Sequence, residues 1–229
     1  MKKLNQLEEQ IGITFTDKSL LELAFVHKSY VNEAEDQEKH NERMEFLGDA
    51  VLELCVTDYV FRTYPDQPEG ELTNWRSALV KGKNLAKVAR ELHLGDYLKL
   101  SRGEELSGGR DKTYILANTT EALIGAIYLD KGYEKANKFV LKFIITMLDE
   151  IIKQKLYIDA KSRIQELAQE KLSLTPRYDL LKESGPDHDK IFTMGIYFEK
   201  ELIAKGTGPS KQEAEQAAAH KALQEKGWL

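Results

Sequence analysis

Apolar residues recur at steps of three and four from residue 1 to about 156, the spacing that brings side chains to one face of a helix. Four stretches carry it most strongly: EKHNERMEFLGDAVLELCVTDYVFRTY (38–64), ELTNWRSALVKGKNLAKVARELHL (71–94), TYILANTTEALIGAIYLD (113–130) and YEKANKFVLKFIITMLDEIIKQK (133–155). PDQPEG (65–70) and the polar RGEELSGGRD (102–111) punctuate them and read as connections, the second a flexible one. Gly108 and Gly109 there lack the spacing of a phosphate-cradling loop.

After LYID (156–159) the period changes. A helix over 160–172 is followed by strands near RYDLLKES (177–184), IFTMGIYF (191–198) and ELIAKGTG (201–208), and a helix through SKQEAEQAAAHKALQEKG closes the pattern. Phe192, Met194, Ile196 and Phe198 alternate onto one face of the middle strand. Ser210 and Glu213 have capping-box spacing, and alanines at 214, 217, 218, 219 and 222 permit close packing on a sheet. The fold class predicted is mainly α: an all-helical domain over 1–157, then a small α-β-β-β-α domain over 158–229.

Composition narrows the chemistry. Cys55 is the only cysteine, which excludes an internal disulfide or a cysteine-cluster metal site, and its apolar surroundings predict a packed thiol. The N-terminus has no uninterrupted apolar run, and FVLKFIITMLDEII is broken by Lys142 and Asp149; both point to a cytoplasmic protein without a membrane span. Net charge is −5, with 22 basic and 26 acidic residues through 157 and 11 and 12 beyond. Binding to a polyanion must therefore depend on local placement.

The stretch NERMEFLGDAVLEL (41–54) sets Glu42, Glu45 and Asp49 at i, i+3 and i+7, within a roughly 60° arc, while Met44, Phe46, Leu47, Ala50, Val51 and Leu54 cover the remainder. A water-facing acidic stripe is the ordinary explanation. In ILANTTEALIGAIYLD, however, Asn118 and Glu121 share a face at i and i+3. If the two helices pack with polar faces adjoining, Glu45, Asp49, Asn118 and Glu121 converge, and four oxygen donors suit Mg²⁺. Gly48 is placed to let a neighbouring helix approach. His27 and Tyr30 read as structural hydrogen-bonding groups, and His40 and Asn41 as capping or loop residues.

These motifs, in order, resemble the bacterial ribonuclease III family: NERMEFLGDAVLEL its signature segment, LAFVHKSYVNE its His-x-Ser-Tyr element, EGELTNWRSALV its Glu-Gly-x-Leu helix start and LANTTEALIGAIYLD its second ligand helix. The tail resembles the family's double-stranded RNA-binding domain. The resemblance implies a Mg²⁺-dependent endonuclease, with Mn²⁺ as a substitute, in which Glu45, Asp49, Asn118 and Glu121 hold the metal and Asp49 and Glu121 are catalytic. Asn118 stands where the family often has aspartate; its amide oxygen can ligate but brings no charge. Glu42 and Glu69 match acidic positions that contact substrate or support the ligands.

The resemblance also implies double-stranded RNA as partner, with products bearing 5′-phosphates and short 3′ overhangs, and roles in rRNA precursor and mRNA processing. It implies a homodimer of the helical domain, and Val51, Leu54 and Cys55 are candidates for packing across its two-fold. In the second domain, Gln165, Glu166 and Gln169 can reach minor-groove 2′-hydroxyls, and Pro186 and His188 lie in a strand-connecting loop matching the family's second contact. Lys211 begins a helix whose free N–H groups favour phosphate. Two rival readings are a non-catalytic duplex-RNA-binding protein and a helical protein-interaction module; the latter leaves the second domain unexplained.

Overall fold

The computed structural model describes residues 2–31, 39–186 and 190–228. Contacts divide the chain into two compact units, Met1–Gln154 and Lys155–Leu229.

The first unit is helical: α1 (Lys2–Ile11), α2 (Lys18–Ala24), α3 (Lys28–Val31), α4 (Glu42–Thr63), α5 (Glu69–Leu79), α6 (Gly82–Glu91), α7 (Arg102–Leu106), α8 (Thr113–Lys131), α9 (Tyr133–Phe143) and α10 (Leu148–Lys153). α8 is its axis. Ile115, Leu116, Ala122, Leu123, Ile124, Ala126 and Ile127 are all buried, so apolar positions surround this helix as they must when neighbours cover it on most sides. Thr119 and Thr120 are fully buried as well. Their hydroxyls donate to the carbonyls of Ile115 (2.6 Å) and Leu116 (3.0 Å), which satisfies them without water.

α4 crosses α8 at glycine on both sides. A Cβ on Gly48 would stand 1.8 Å from the Glu121 carbonyl oxygen, and one on Gly125 would stand 2.3 Å from the Met44 carbonyl oxygen. Only hydrogen fits at either place, so two backbones approach closely and the polar residues beside the crossing come with them.

Three readings of the pattern need correction. The helical run over 71–94 is two helices, because Val80 and Lys81 leave helical conformation and the Asn84 amide turns back to donate to the Ala78 carbonyl at 2.7 Å, capping α5. The run over 133–155 is likewise interrupted, by a 3₁₀ turn at Ile145–Met147. The supposed flexible connection over 102–111 is a fastened structure. Ser101 caps α7 by accepting from the Glu104 N–H (3.1 Å), Lys112 pairs with Glu104 (2.6 Å), and Arg110 donates to the Gly95 and Leu98 carbonyls (2.9 Å each).

The second unit follows the expected order: α11 (Ala160–Leu172), β1 (Arg177–Ser184), β2 (Ile191–Phe198), β3 (Glu201–Gly208) and α12 (Lys211–Glu225). The sheet is antiparallel with order β1-β2-β3. Met194, Ile196 and Phe198 are buried, and Ile196 and Phe198 share a core with Ile164, Leu167, Ala218, Ala222 and Leu223 of the two helices. A Cβ on Gly206 would lie 2.1 Å from the Ala218 nitrogen, so β3 and α12 touch backbone to backbone.

Candidate metal and RNA-binding site

The close crossing of α4 and α8 decides which polar groups meet. Gly48 rests on the backbone of Glu121 itself, and Glu45 and Asp49 flank Gly48 on α4. Glu121 and Glu45 are half-buried, and Asp49 is exposed. The Asn118 amide hydrogen-bonds the Glu45 carboxylate. Its N–H₂ is the donor there, which leaves its oxygen available as an acceptor.

Electrostatics describes the same convergence. Burial, then the charges of Asp49 and Glu45, pushes the Glu121 carboxyl up to about 7. Burial likewise raises Glu45, helped by Glu42 and Asp49 and opposed by the Asn118 hydrogen bond and by Lys28. Three acids thus act on one another here, and among the groups that shift Glu45 and Glu121 the one cation is Lys28, which acts on Glu45. Among the described residues no three His, Cys, Asp or Glu side chains close into a ready-made metal cage. The donor set is open: carboxylates and one amide, which fits a hard cation that keeps several waters as ligands.

Glu42 and Glu69 differ from these. Glu42 is held by Lys28 (2.9 Å), whose hydrogen bond keeps the carboxyl below its ordinary range, and His40 Nδ1 stands 3.7 Å from its other oxygen. Glu69 is exposed at the start of α5 and accepts from the Thr73 hydroxyl (3.3 Å).

The supporting residues take specific roles. The His27 ring nitrogen Nδ1 pairs with the Ser29 hydroxyl (2.8 Å), and Ser29 Oγ accepts from the Ser101 N–H (3.1 Å). Asn41, expected as a cap, is buried and its amide donates to the Ala24 carbonyl (3.0 Å); only its backbone carbonyl, accepting from Met44 and Glu45, starts α4. Burial raises the Cys55 thiol to about 11, against a hydrogen bond with Tyr133. Val51 and Cys55 lie in the chain's own core, so of the three residues considered for a two-fold only Leu54, 56% exposed, is open to a partner. Phe46 (80% exposed) and Phe61 (68%) continue that exposed line along α4.

In the second unit, Gln165, Glu166 and Gln169 are exposed along α11. Glu166 is 3.6 Å from Arg163. Lys211 is exposed as the first residue of α12, whose Ser210 cap accepts from the Glu213 N–H (3.2 Å). Pro186 is exposed beside Gly185, which has φ 97°, while His188 lies outside the described residues. Lys190 pairs with Glu183 (2.8 Å). Gly125 and Lys28 were not singled out by the sequence. For Gly125 a signal existed, since a glycine four residues after Glu121 inside an apolar helix implies a close contact.

A Ribonuclease-III-like family model matches residues 17–148, and a double-stranded RNA binding motif matches residues 160–226. Ribonuclease 3 of Natranaerobius thermophilus is 47% identical over 219 residues, covering 96% of this chain and 94% of its own. Ribonuclease 3 of Clostridium perfringens is 45% identical over 229 residues, covering 99% and 96%. Among solved structures, the nuclease domain of Campylobacter jejuni ribonuclease III matches with a TM-score of 0.59 at 43% identity, over 64% of this chain and 96% of that one. A second structure of that domain, described for flexibility in a region involved in dimer formation, matches with a TM-score of 0.57 at 44% identity, over 61% and 94%.

Proposed function

The chain belongs to the ribonuclease III family of double-strand-specific endoribonucleases, and on that premise we propose that it hydrolyses phosphodiester bonds in double-stranded RNA with Mg²⁺ bound by Glu45, Asp49, Asn118 and Glu121. The observation that carries this reading is the convergence of Glu45, Asp49 and Glu121 at the α4–α8 crossing, where burial and then the charges of Asp49 and Glu45 lift the Glu121 carboxyl to about 7, a load that a bound cation relieves. The family implies a divalent metal; Mg²⁺, with Mn²⁺ as substitute, is the choice the oxygen donors favour. A divalent ion bound there supplies charge compensation and Lewis acidity toward the scissile phosphate.

The chain's own groups do the rest. Asn118 orients Glu45 through its N–H₂. Glu121 and Asp49 are the catalytic carboxylates nearest the reacting phosphate, and Gly48 fixes Glu121 by setting its backbone against α4. Glu42 and Glu69 border the substrate. Gln165, Glu166, Gln169, Pro186, His188 and Lys211 hold the duplex through minor-groove and phosphate contacts spanning about 16 base pairs. The exposed line of Phe46, Leu54 and Phe61 supports a homodimer through the helical unit, in which two sites cut opposite strands and leave 5′-phosphates and short 3′ overhangs. Structured precursors of rRNA and messages in the cytoplasm are the substrates that reading favours. No described helix is long and apolar enough to cross a membrane.

The test is cleavage of a long, perfectly paired RNA with Mg²⁺ and with chelator, beside a single-stranded control of the same sequence. Mg²⁺-dependent cutting of the duplex alone is expected, with Glu121→Gln binding but not cutting. Binding without cutting at every Mg²⁺ concentration would favour the non-catalytic RNA-binding reading.

A further inference from the structure

The Lys28–Glu42 pair stands at the edge of the acidic site, and the mechanism above gives Lys28 no task. The lysine is mounted rigidly. The His27 N–H donates to the Lys99 carbonyl (3.1 Å), the Lys99 N–H to the Phe25 carbonyl (2.8 Å), and the Tyr30 N–H to the His27 carbonyl (3.0 Å). Ser29, the next residue, is tied to both His27 and Ser101. From this pinned turn the Lys28 side chain emerges 61% exposed and still reaches Glu42 at 2.9 Å.

Glu42 itself is 46% exposed. An ion pair this open is screened by salt and adds little to the fold, so its position calls for another explanation. Glu42 precedes Glu45 by three residues, about 4.5 Å along the helix axis. The field of Lys28 reaches Glu45, and Tyr114, 55% exposed, lies within the same reach. A duplex lying on the acids presents further backbone phosphates one nucleotide to either side of the one being cut. Glu42 alone cannot welcome one; Lys28 can.

We propose that Lys28 is a substrate-positioning cation, held on Glu42 in the RNA-free protein and transferred to a backbone phosphate when the duplex docks at the acidic site. This rests on the duplex-cutting reading and adds to it a phosphate contact from the catalytic unit, together with an intramolecular carboxylate that competes with RNA for the same ammonium. Competition gives the two partners opposite signs. Removing the lysine removes a phosphate contact; neutralising the glutamate frees the lysine.

The experiment measures equilibrium binding of a perfectly paired RNA of about 25 base pairs, longer than one contact span, across a salt series with Mg²⁺ in the non-cutting Glu121→Gln background. Lys28→Met is expected to bind several-fold more weakly at low salt, with a log Kd against log salt slope shallower by about 0.9. Lys28→Arg retains the parent's slope. Glu42→Gln binds more tightly than the parent, whereas Glu9→Gln, which removes an exposed acid on α1, leaves affinity unchanged and so excludes a general charge effect. The proposal is overturned if Lys28→Met and the parent give superimposable salt lines, or if Lys28→Met and Glu42→Gln shift affinity in the same direction. A parent that binds no duplex at any salt overturns the broader reading, and this one with it.

Discussion

Replacing Glu121 by glutamine should stabilise the metal-free protein near pH 8 and change it little near pH 4. The carboxyl is lifted from an ordinary value of 4.5 to about 7, chiefly by burial and then by Asp49 and Glu45. A carboxyl whose pKa is raised by folding holds its proton more tightly in the folded state. Its contribution is therefore fully present below about pH 4.5 and is lost as the pH rises through about 7. The rise from 4.5 to about 7 corresponds to a ceiling of about 3.4 kcal/mol. Glu121 is only half-buried, and side chains and water relax around the ionised form, so about 1–2 kcal/mol is expected. Glutamine is nearly isosteric with the protonated acid, which is why the acid-side difference should be small.

Urea unfolding of both proteins in chelator at the two pH values measures this directly. A second arm adds Mg²⁺ at pH 8, where the wild type should gain more stability than Glu121→Gln, because a ligand that binds only the folded state stabilises it in proportion to its affinity. A stability difference that is the same at both pH values, or a variant less stable than wild type at pH 8, would refute the claim that folding raises the Glu121 carboxyl at this crossing.

Three further outcomes are expected. Gly48→Ala puts a methyl where only 1.8 Å separates it from the Glu121 carbonyl, so α4 and α8 must part; a loss of about 3 kcal/mol or more in denaturant unfolding, with loss of cleavage, should follow. Phe46→Glu alters a side chain that is 80% exposed in one chain, so monomer unfolding should move by no more than about 0.5 kcal/mol while sedimentation shows the proposed homodimer dissociating. Lys211→Ala should weaken duplex binding and reduce its salt slope by about 0.9, measured by titration at several salt concentrations; an unchanged slope would count against a phosphate at the start of α12.

Secondary structure in the second unit was readable because its cues are local. Alternation in β2 and the alanines of α12 report which face each element buries, and Ser210 marks where the last helix begins. The breaks within 71–94 and 133–155 were not readable by period. At the first, an asparagine side chain caps a helix it does not belong to, a contact formed across the turn rather than along it. The fastening of 101–112 was hidden for the same reason: Arg110 reaches carbonyls at 95 and 98 and Lys112 reaches Glu104, and none of these pairings has a helical or strand period.

By itself the sequence determined the order of elements, the two-part organisation of motifs and the acids that share a helical face, since each follows from residues a few positions apart. Only the tertiary structure decided which apolar residues of α4 are core and which stay open, because one helix can bury a broad apolar arc only where neighbours happen to lie. Val51 and Cys55 went inward while Phe46 and Leu54 stayed out. It also decided that Glu121 meets Asp49 and Glu45, through a pair of glycines 77 residues apart in numbering, Gly48 and Gly125, whose missing side chains let two backbones touch. Charge state follows surroundings: Glu42, bound by Lys28, is held down, and Glu121, half-buried and then crowded by Asp49 and Glu45, is pushed up.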